Sequence, residues 1–471
     1  MADGSLHSCL RAYYQRTKDR PQTSSSLTKL QPWADTQPYG LSPVSSMASA
    51  EPLAAGCRGR QIRWRRGRSS VGGEARESPG LSRVHTGVDL TRIALFTDSY
   101  LPTVDGVVTS VLTTRRQLEA HGHEVVVFAP EDPRRRGKRE AGTIYVRAKE
   151  FAHYPGYRLA MFPGRETDLI KEMGIDVIHI HGVGFVGIKG IWASWQAKVP
   201  RVSTFHTMIH ETLAFYSPFG LNLHLLERGL RFYLRVFLRK THGVVVPSRA
   251  ILDEILALSP AAKIADVIPT GVDTERFRPG TPGQGVRTKW GLNGHDVILH
   301  VGRVAPEKNL TTLIQAFPRV LEANPDTKLM IVGTGPYMEK YYDLVRHLGL
   351  AGDVIFTGFV PDVDLPKYYA AADAFAIASK FETQGLVVLE ALASGRPVAG
   401  ANYRAIPEFV HEGVNGALFE PNDVRGCAAA ILRCLREPDG MREAARETAL
   451  RYSVERCTRR LERVYDRLVA A

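Results

Sequence analysis

Cysteine is scarce. The 471 residues hold five, Cys9, Cys57, Cys427, Cys434 and Cys457. None forms a CxxC pair and no histidine cluster has zinc-ligand spacing, which excludes a disulfide framework and a zinc module and leaves metal chemistry unexpected. The thiols read as reduced, in a cytosolic compartment. Long apolar runs are missing as well: no stretch approaches about 20 uninterrupted apolar residues, so no membrane-spanning helix is expected. There is no acidic excess either, since 61 Lys and Arg stand against 49 Asp and Glu, a formal net charge of +12. A mildly basic body suits an anionic partner such as a phosphorylated substrate or an acidic lipid. A solvated basic surface gives the same count, and no nucleic-acid partner is expected.

What is present suffices for two or three domains, with a hydrophobic fraction of 44%. Residues 1–90 stand apart. They carry thirteen Lys and Arg against seven Asp and Glu, so half of the net charge lies there. With "SSSL", "SSMAS" and "RWRRGRSS" and no sustained apolar period, they bury little surface and are expected to be disordered. A Ser/Arg-rich, acid-poor leader has the composition of an organelle transit peptide, and equally of an extension translated from upstream of the true start. Met47 does not separate the two.

From "TRIALFTDSYLP" (91–102) the texture changes. The short apolar strand "IALF", a loop ending in "VDGVV", the helix-like "SVLTTRRQLEAHG" and the strand "EVVVFAP" make one βαβ unit. Strands "DVIHIHG" (176–182), "RVSTFHT" (201–207) and "GVVVPS" (243–248) continue it. A Pro/Gly-rich break follows at "PTGVDTERFRPGTPGQG" (269–285). A second series then begins with "DVILHVGR" (296–303), "KLMIVGTG" (328–335), "DVIFTGF" (353–359), "AFAIAS" (374–379) and "PVAGA" (397–401). Short apolar strands alternating with helices imply parallel sheets covered on both faces. The expected fold is α/β, two doubly wound Rossmann-like domains facing a cleft, with ligands beyond the carboxyl ends of the strands.

In the second half, "HVGRVAPEKNL" (300–310) places Gly302, Arg303 and Lys308 just after a strand. An arginine fork and a lysine point charge at this spacing can grip a diphosphate; a solvated basic loop looks the same. "VGTGP" (332–336) reads as a structural turn. "FTGFV" (356–360) is a similar turn; backbone groups around Phe359 and Val360 can meet a nucleobase edge, though nothing in the sequence alone demands it. "FETQGLVVLEALASG" (381–395) runs off a strand into a helix closed by Gly395, with seven residues between Glu382 and Glu390. Gly385 falls at the helix start, where free N–H groups and the helix dipole favour an anion. A nucleotide sugar fits this spacing: hexose hydroxyls at Glu382, diphosphate at Gly385 and Leu386, ribose at Glu390. The plainer alternative is one helix-start glutamate and one surface glutamate.

"FETQGLVVLEALASGRPV" resembles the Glu-x7-Glu signature of retaining GT-B glycosyltransferases of family four. "GRVAPEKN", "IPTGVDTERF" and "SYLPTVDGVVTSV" resemble that family's phosphate-binding pair, interdomain segment and N-domain glycine loop. The likeness covers about residues 91–460. It implies that Arg303 and Lys308 hold the diphosphate, Glu382 the sugar hydroxyls and Glu390 the ribose, with Val360, Gln384, Gly385 and Leu386 completing the donor site. It implies that Gly106 lets the N-domain loop approach the donor phosphates. It also implies that His206 of "STFHT" contacts the sugar near the anomeric carbon, a second catalytic candidate beside Glu382; a lone histidine after a strand is otherwise a structural residue. One stretch departs from the pattern: "NYRAIPEFV" (402–410) puts Tyr403 and Arg404 where many members carry a Gly-Gly pair. The expected domains are residues 91–272 on the acceptor side and 273–471 on the donor side, the last helix packing back on the N-terminal domain.

The resemblance implies transfer of a hexose with retention, without cofactor or metal, the departing phosphate assisting deprotonation of the acceptor. The acceptor is read from "LHLLERGLRFYLRVFLRK" (223–240). Leu223, Leu226, Leu230, Tyr233, Leu234 and Phe237 form one stripe, and Arg228, Arg231, Arg235 and Arg239 another. Such a helix lies on anionic headgroups or packs its apolar face on its own domain. The aromatic stretch "FAHYPGYRLAMFP" (151–163) either joins that surface or is an ordered loop. The motifs are similar to those of diacylglycerol glucosyltransferases and lipid mannosyltransferases, so the expected enzyme is peripheral at a membrane and takes UDP-glucose or GDP-mannose. Two other readings stay open: the same transfer to a soluble acceptor, and a GT-B epimerase or non-catalytic donor-binding protein.

Overall fold

The computed structural model describes residues 90–103, 105–132, 140–150, 158–161, 164–206, 223–436 and 438–471. The leader 1–89 with Cys9, Cys57 and Met47, and most of the aromatic stretch 151–163, lie outside the described residues.

The N-terminal domain is a seven-stranded sheet in the order β3-β2-β1-β6-β7-β8-β9. Its strands are β1 (Arg92–Phe96), β2 (Glu124–Pro130), β3 (Thr143–Val146), β6 (Val177–Ile180), β7 (Arg201–Thr204), β8 (Gly243–Val246) and β9 (Ile264–Val267), with a small antiparallel pair, β4 (Lys149–Glu150) and β5 (Arg158–Leu159), beside it. Its helices are α1 (Gly106–Ala120), α2 (Glu166–Met173), α3 (Phe185–Ala197), α4 (Leu223–Arg239) and α5 (Arg249–Leu258). The C-terminal sheet has six strands in the order β12-β11-β10-β13-β14-β15. These are β10 (Asp296–Val301), β11 (Thr327–Val332), β12 (Val354–Gly358), β13 (Ala374–Ile377), β14 (Val398–Ala401) and β15 (Gly416–Phe419). The helices around them are α6 (Gln284–Trp290), α7 (Leu310–Ala323), α8 (Met338–His347), α9 (Leu365–Ala371), α10 (Leu386–Ala393), α11 (Ile406–Phe409), α12 (Val424–Arg436), α13 (Pro438–Arg451) and α14 (Val454–Val469).

Every neighbouring pair within the two large sheets is parallel, as strands without apolar/polar alternation require. Successive residues of β1 feed opposite cores. Ala94 and Phe96 join the layer under α2, α3 and α4, while Ile93 and Leu95 join the layer under α1 and α14. In each sheet the strand order reverses once, between β1 and β6 and between β10 and β13. Loops diverge at such a reversal and leave a crevice.

The chain passes between the sheets at Pro269–Val272 and returns through α14. Gly271 is required there, since a Cβ would sit 2.4 Å from Val454 Cα. The helix α14 lies on α1 of the N-terminal domain. Glu455 and Glu462 meet His121 at 2.8 and 2.5 Å, Glu462 also meets His123 at 3.2 Å, and Gln117 donates to Glu455 at 2.6 Å. Burial opposes protonation of His121, but the hydrogen bonds to Glu462 and Glu455 outweigh it and hold the imidazole above its ordinary value.

On α4 the residues Leu234, Phe237 and Leu238 are buried against the domain's own core, with Leu230 and Tyr233 packed beside them. The apolar stripe is thus used inside the fold. The side chains of Leu223 and Leu226 lie outside the described residues. Among the described residues no helix is long and apolar enough to cross a membrane, and no group of three or more His, Cys, Asp or Glu could hold a metal ion.

Candidate active site

The loops after β10 and β13 leave adjacent strands at the reversal of the C-terminal sheet, and they join into one structure. The backbone N–H of Lys380 donates to the Glu307 carbonyl at 2.9 Å, and Ser379 Oγ to the same carbonyl at 3.2 Å. Lys308, on the short turn Pro306–Lys308, donates its Nζ to Glu382 Oε1 at 2.6 Å. The diphosphate candidate and the sugar-hydroxyl candidate are therefore one charge-paired unit. Arg303 stands exposed at the carboxyl end of β10.

Gly385 follows at φ +78°, a left-handed conformation that glycine adopts without strain, and it turns the chain into α10. No side chain caps the first N–H groups of α10, so they keep the electrostatic character of a helix N-terminus. Glu390 lies a little over one turn farther along. It is buried, and its Oε2 accepts a 2.8 Å hydrogen bond from the Tyr369 hydroxyl. Burial pushes its carboxyl up to about 7, with the Tyr369 hydrogen bond and the Arg276 charge working the other way. Glu390 is not a surface glutamate.

Gln384 and its neighbours hold the two domains together. The Gln384 amide bonds Thr270 twice, accepting from its N–H and donating to its carbonyl, both at 2.7 Å. Ser248 donates to the Thr383 carbonyl at 2.7 Å. Phe381 packs into the N-terminal cluster built on Phe205, Val246 and Ile251. The Glu408 carboxylate accepts from the N–H groups of Arg249 and Ala250 at the start of α5, at 2.8 and 2.9 Å. These contacts bring the Glu382 loop to the carboxyl end of β7, where His206 directly follows Phe205.

His206 is not alone. His181, after β6, places Nδ1 2.9 Å from His206 Nε2. Behind it His179 lies between Thr204 Oγ1 and the Tyr465 hydroxyl, each at 2.7 Å. Burial pushes His206 down to about 4, His179 down to about 3 and His181 well below the usual imidazole range, so the three rings are neutral. The sequence reading singled out His206 and passed over His181, although "HIHG" ends its strand as "STFH" does. It also passed over Asp98, whose carboxylate crosses the reversal of the N-terminal sheet to accept from Gly184 N and Val186 N, both at 2.8 Å, at the head of α3. Gly106 opens α1 beside this crevice, and a Cβ there would meet nothing within 4 Å. At the far edge, Val360 is half-buried against the C-terminal core and Phe359 is 66% exposed.

Arg404, the departure in "NYRAIPEFV", spans the domains. Its guanidinium lies 5.3 Å from the Phe381 ring and 5.6 Å from the Tyr403 ring, and pairs with Glu254 of α5 at 3.3 Å. Its φ of +51° is one that glycine would adopt without strain, so the interdomain contact is made at some conformational cost.

Comparisons with known proteins bear on the family and the fold. Residues 104–276 match the family "Glycosyltransferase Family 4" and residues 286–451 match "Glycosyl transferases group 1". The alpha-monoglucosyldiacylglycerol synthase of Streptococcus pneumoniae is 31% identical over 382 residues, covering 79% of this chain and 85% of that protein. The GDP-mannose-dependent alpha-mannosyltransferase of Corynebacterium glutamicum is 28% identical over 355 residues, covering 71% and 78%. Among solved structures, Anabaena HepE in complex with UDP-glucose superposes with a TM-score of 0.64 at 21% identity, covering 80% of this chain and 100% of that one. With paired parallel sheets, a charge-paired loop at the reversal and these relatives, the chain belongs to the group 1, family 4 glycosyltransferases and has the GT-B fold.

Proposed function

We propose that the protein transfers a hexose, with retention, from UDP-glucose or GDP-mannose to a membrane lipid such as diacylglycerol. The observation that carries the reading is the Lys308–Glu382 pair at the head of α10, with Glu390 buried behind it. In this reading Arg303, Lys308 and the N–H groups of Gly385 and Leu386 hold the diphosphate, Glu382 the hexose hydroxyls and Glu390 the ribose. The base lies by Val360, Gly106 leaves room for the phosphates, and Gln384 holds the Thr270 crossing in register. Neutral His206 faces the sugar and His181 orients it. The bond from the anomeric carbon to the phosphate oxygen breaks as the acceptor oxygen attacks, and the acceptor proton passes to the departing phosphate. Charge grows on the leaving group, so the fixed cations and helix N–H groups contribute most at that moment.

The lipid acceptor is supported by the names of the relatives and by the outer face of the N-terminal domain. Arg228, Arg235 and Arg239 are exposed on α4 around Phe232, which is 67% exposed. The neighbouring α3 presents Trp192 and Trp195, 57% and 64% exposed, their rings 5.4 Å apart. Arg201 ties these two helices by donating to the Lys240 carbonyl and to Ser194 Oγ. Aromatic rings flanked by arginines suit an anionic headgroup layer. The expected result is flotation with phosphatidylglycerol vesicles that weakens as salt rises, and a hexosyl lipid formed from vesicles containing diacylglycerol. Product only on soluble sugar acceptors contradicts the lipid reading. Release of free nucleoside diphosphate without any acceptor points instead to an epimerase.

A further inference from the structure

On the C-terminal domain, past the far end of α10, lies a second basic pocket. From Gly385 to this end the eight-residue helix spans about 12 Å. The pocket has a volume of about 510 Å³ and is lined by Ser394, Arg396, Arg442 and Arg446, with Glu443 and Glu447 on its solvent rim. Its three arginines stand against the two rim glutamates, a small positive excess. Asp373 pairs with Arg287 at 2.5 Å and with Arg442 at 3.7 Å, and the oxygen that takes Arg287 also accepts from Val297 N at 2.9 Å. Arg396 lies in the field of the same group. Burial, together with the repulsion of Arg442 and Arg287 that Asp373 only partly offsets, brings its guanidinium down to about 10.

Hydrogen bonding is incomplete at the same place. Arg396 Nε, Arg442 Nε and Ser394 Oγ are buried and have no hydrogen-bond partner, and such orphaned donors are costly. Arg396 uses one Nη on the Ala370 carbonyl at 3.2 Å. Arg446 is committed elsewhere, to the carbonyls of Phe277 and Ala393 at 2.8 Å and of Thr274 at 2.9 Å. It is a wall of the pocket.

We infer that the pocket between the end of α10 and α13 binds a small phosphate monoester, gripped by Arg396 and Arg442 with the Ser394 hydroxyl as a third donor. Two guanidinium forks around a tetrahedral dianion match arginine geometry, and the volume suits a phosphorylated compound of sugar or glycerol size. Arg396 Nε, Arg442 Nε and Ser394 Oγ are covered as the side chains lie, so binding requires each of these side chains to turn toward the ligand. The site is separate from the donor cleft and does not depend on how the donor site is assigned.

Isothermal titration of the full chain tests this with glycerol 3-phosphate and, in a second arm, with phosphatidylcholine vesicles containing phosphatidate. The expected result is one site on the wild type whose affinity falls at least tenfold in Arg396→Gln and in Arg442→Gln. Arg396→Lys and Arg442→Lys, which keep the charge but lose the fork, should fall between. Unchanged melting temperatures would show that these variants fold. Binding of the soluble ester identifies a free metabolite as the source. Binding of vesicles alone, lost in the same variants, identifies a headgroup, and both outcomes support the site. No binding in either arm, or binding that the variants leave unchanged and Lys308→Ala removes, overturns it.

Discussion

Glu382→Ala is expected to lower kcat/KM for hexosyl transfer by about a thousandfold, roughly 4 kcal/mol of transition-state stabilisation. The substitution removes two things together. In the proposed site the hexose loses its carboxylate acceptor, and Lys308 loses the partner that holds its Nζ at 2.6 Å, so the cation would no longer be fixed when the phosphate departs. Most of the loss should appear in kcat, because the contacts at Glu390 and the helix N–H groups still bind the nucleotide. Glu382→Gln keeps the shape without the charge and should recover only a small part. Steady-state kinetics beside a melting curve is the check. Near-normal turnover in a folded Glu382→Ala protein would remove Glu382 from the sugar site.

The second large effect is on stability. Asp98→Ala is expected to cost about 3 kcal/mol, since it strips the cap from α3 and leaves two donors without acceptors, Val186 N buried and Gly184 N part-buried. No small residue elsewhere compensates, because the N-cap position of α3 is Gly184 and offers no side chain. Asp98→Asn retains one carbonyl oxygen and should lose about half as much. Chemical denaturation monitored by circular dichroism measures both. Activity should fall with stability in the alanine variant, since α3 begins four residues after His181. A loss below about 0.5 kcal/mol would mean that the crevice between β1 and β6 is held by other contacts.

The parts of this arrangement that follow from local pattern were legible. Strands such as "IALF" and "AFAIAS" are short and apolar because both sheet faces are covered. Gly385 marks a helix start because only a residue at ease with positive φ turns the chain there. Position along the strand told where loops would gather, and the structure pairs Lys308 with Glu382 there. What the sequence does not carry is the partner of a side chain across space. Tyr369 reaches Glu390 from α9, and nothing in "PKYYAA" marks which of its two buried tyrosines meets the glutamate. Gln384 bonds a backbone 114 residues away, so its role as an interdomain brace required the fold. Arg404 reads as an intrusion into a small-residue position, yet it stacks on Phe381 and pairs with Glu254. On α4, period alone cannot separate a membrane face from a core face. The structure assigns Leu234, Phe237 and Leu238 to the core and leaves Phe232 outside among arginines.

The central claim is a nucleotide-sugar site at the head of α10, and a thermal-shift screen of UDP, GDP, ADP and their hexose conjugates tests it most directly. A ligand at about 100 times its dissociation constant adds roughly 2.7 kcal/mol to the stability of the folded state. The expected result is a clear rise with one nucleotide and its sugar conjugate, strongly reduced in Glu390→Gln. No rise with any nucleotide, or a rise that Glu390→Gln and Lys308→Ala leave intact, would contradict it.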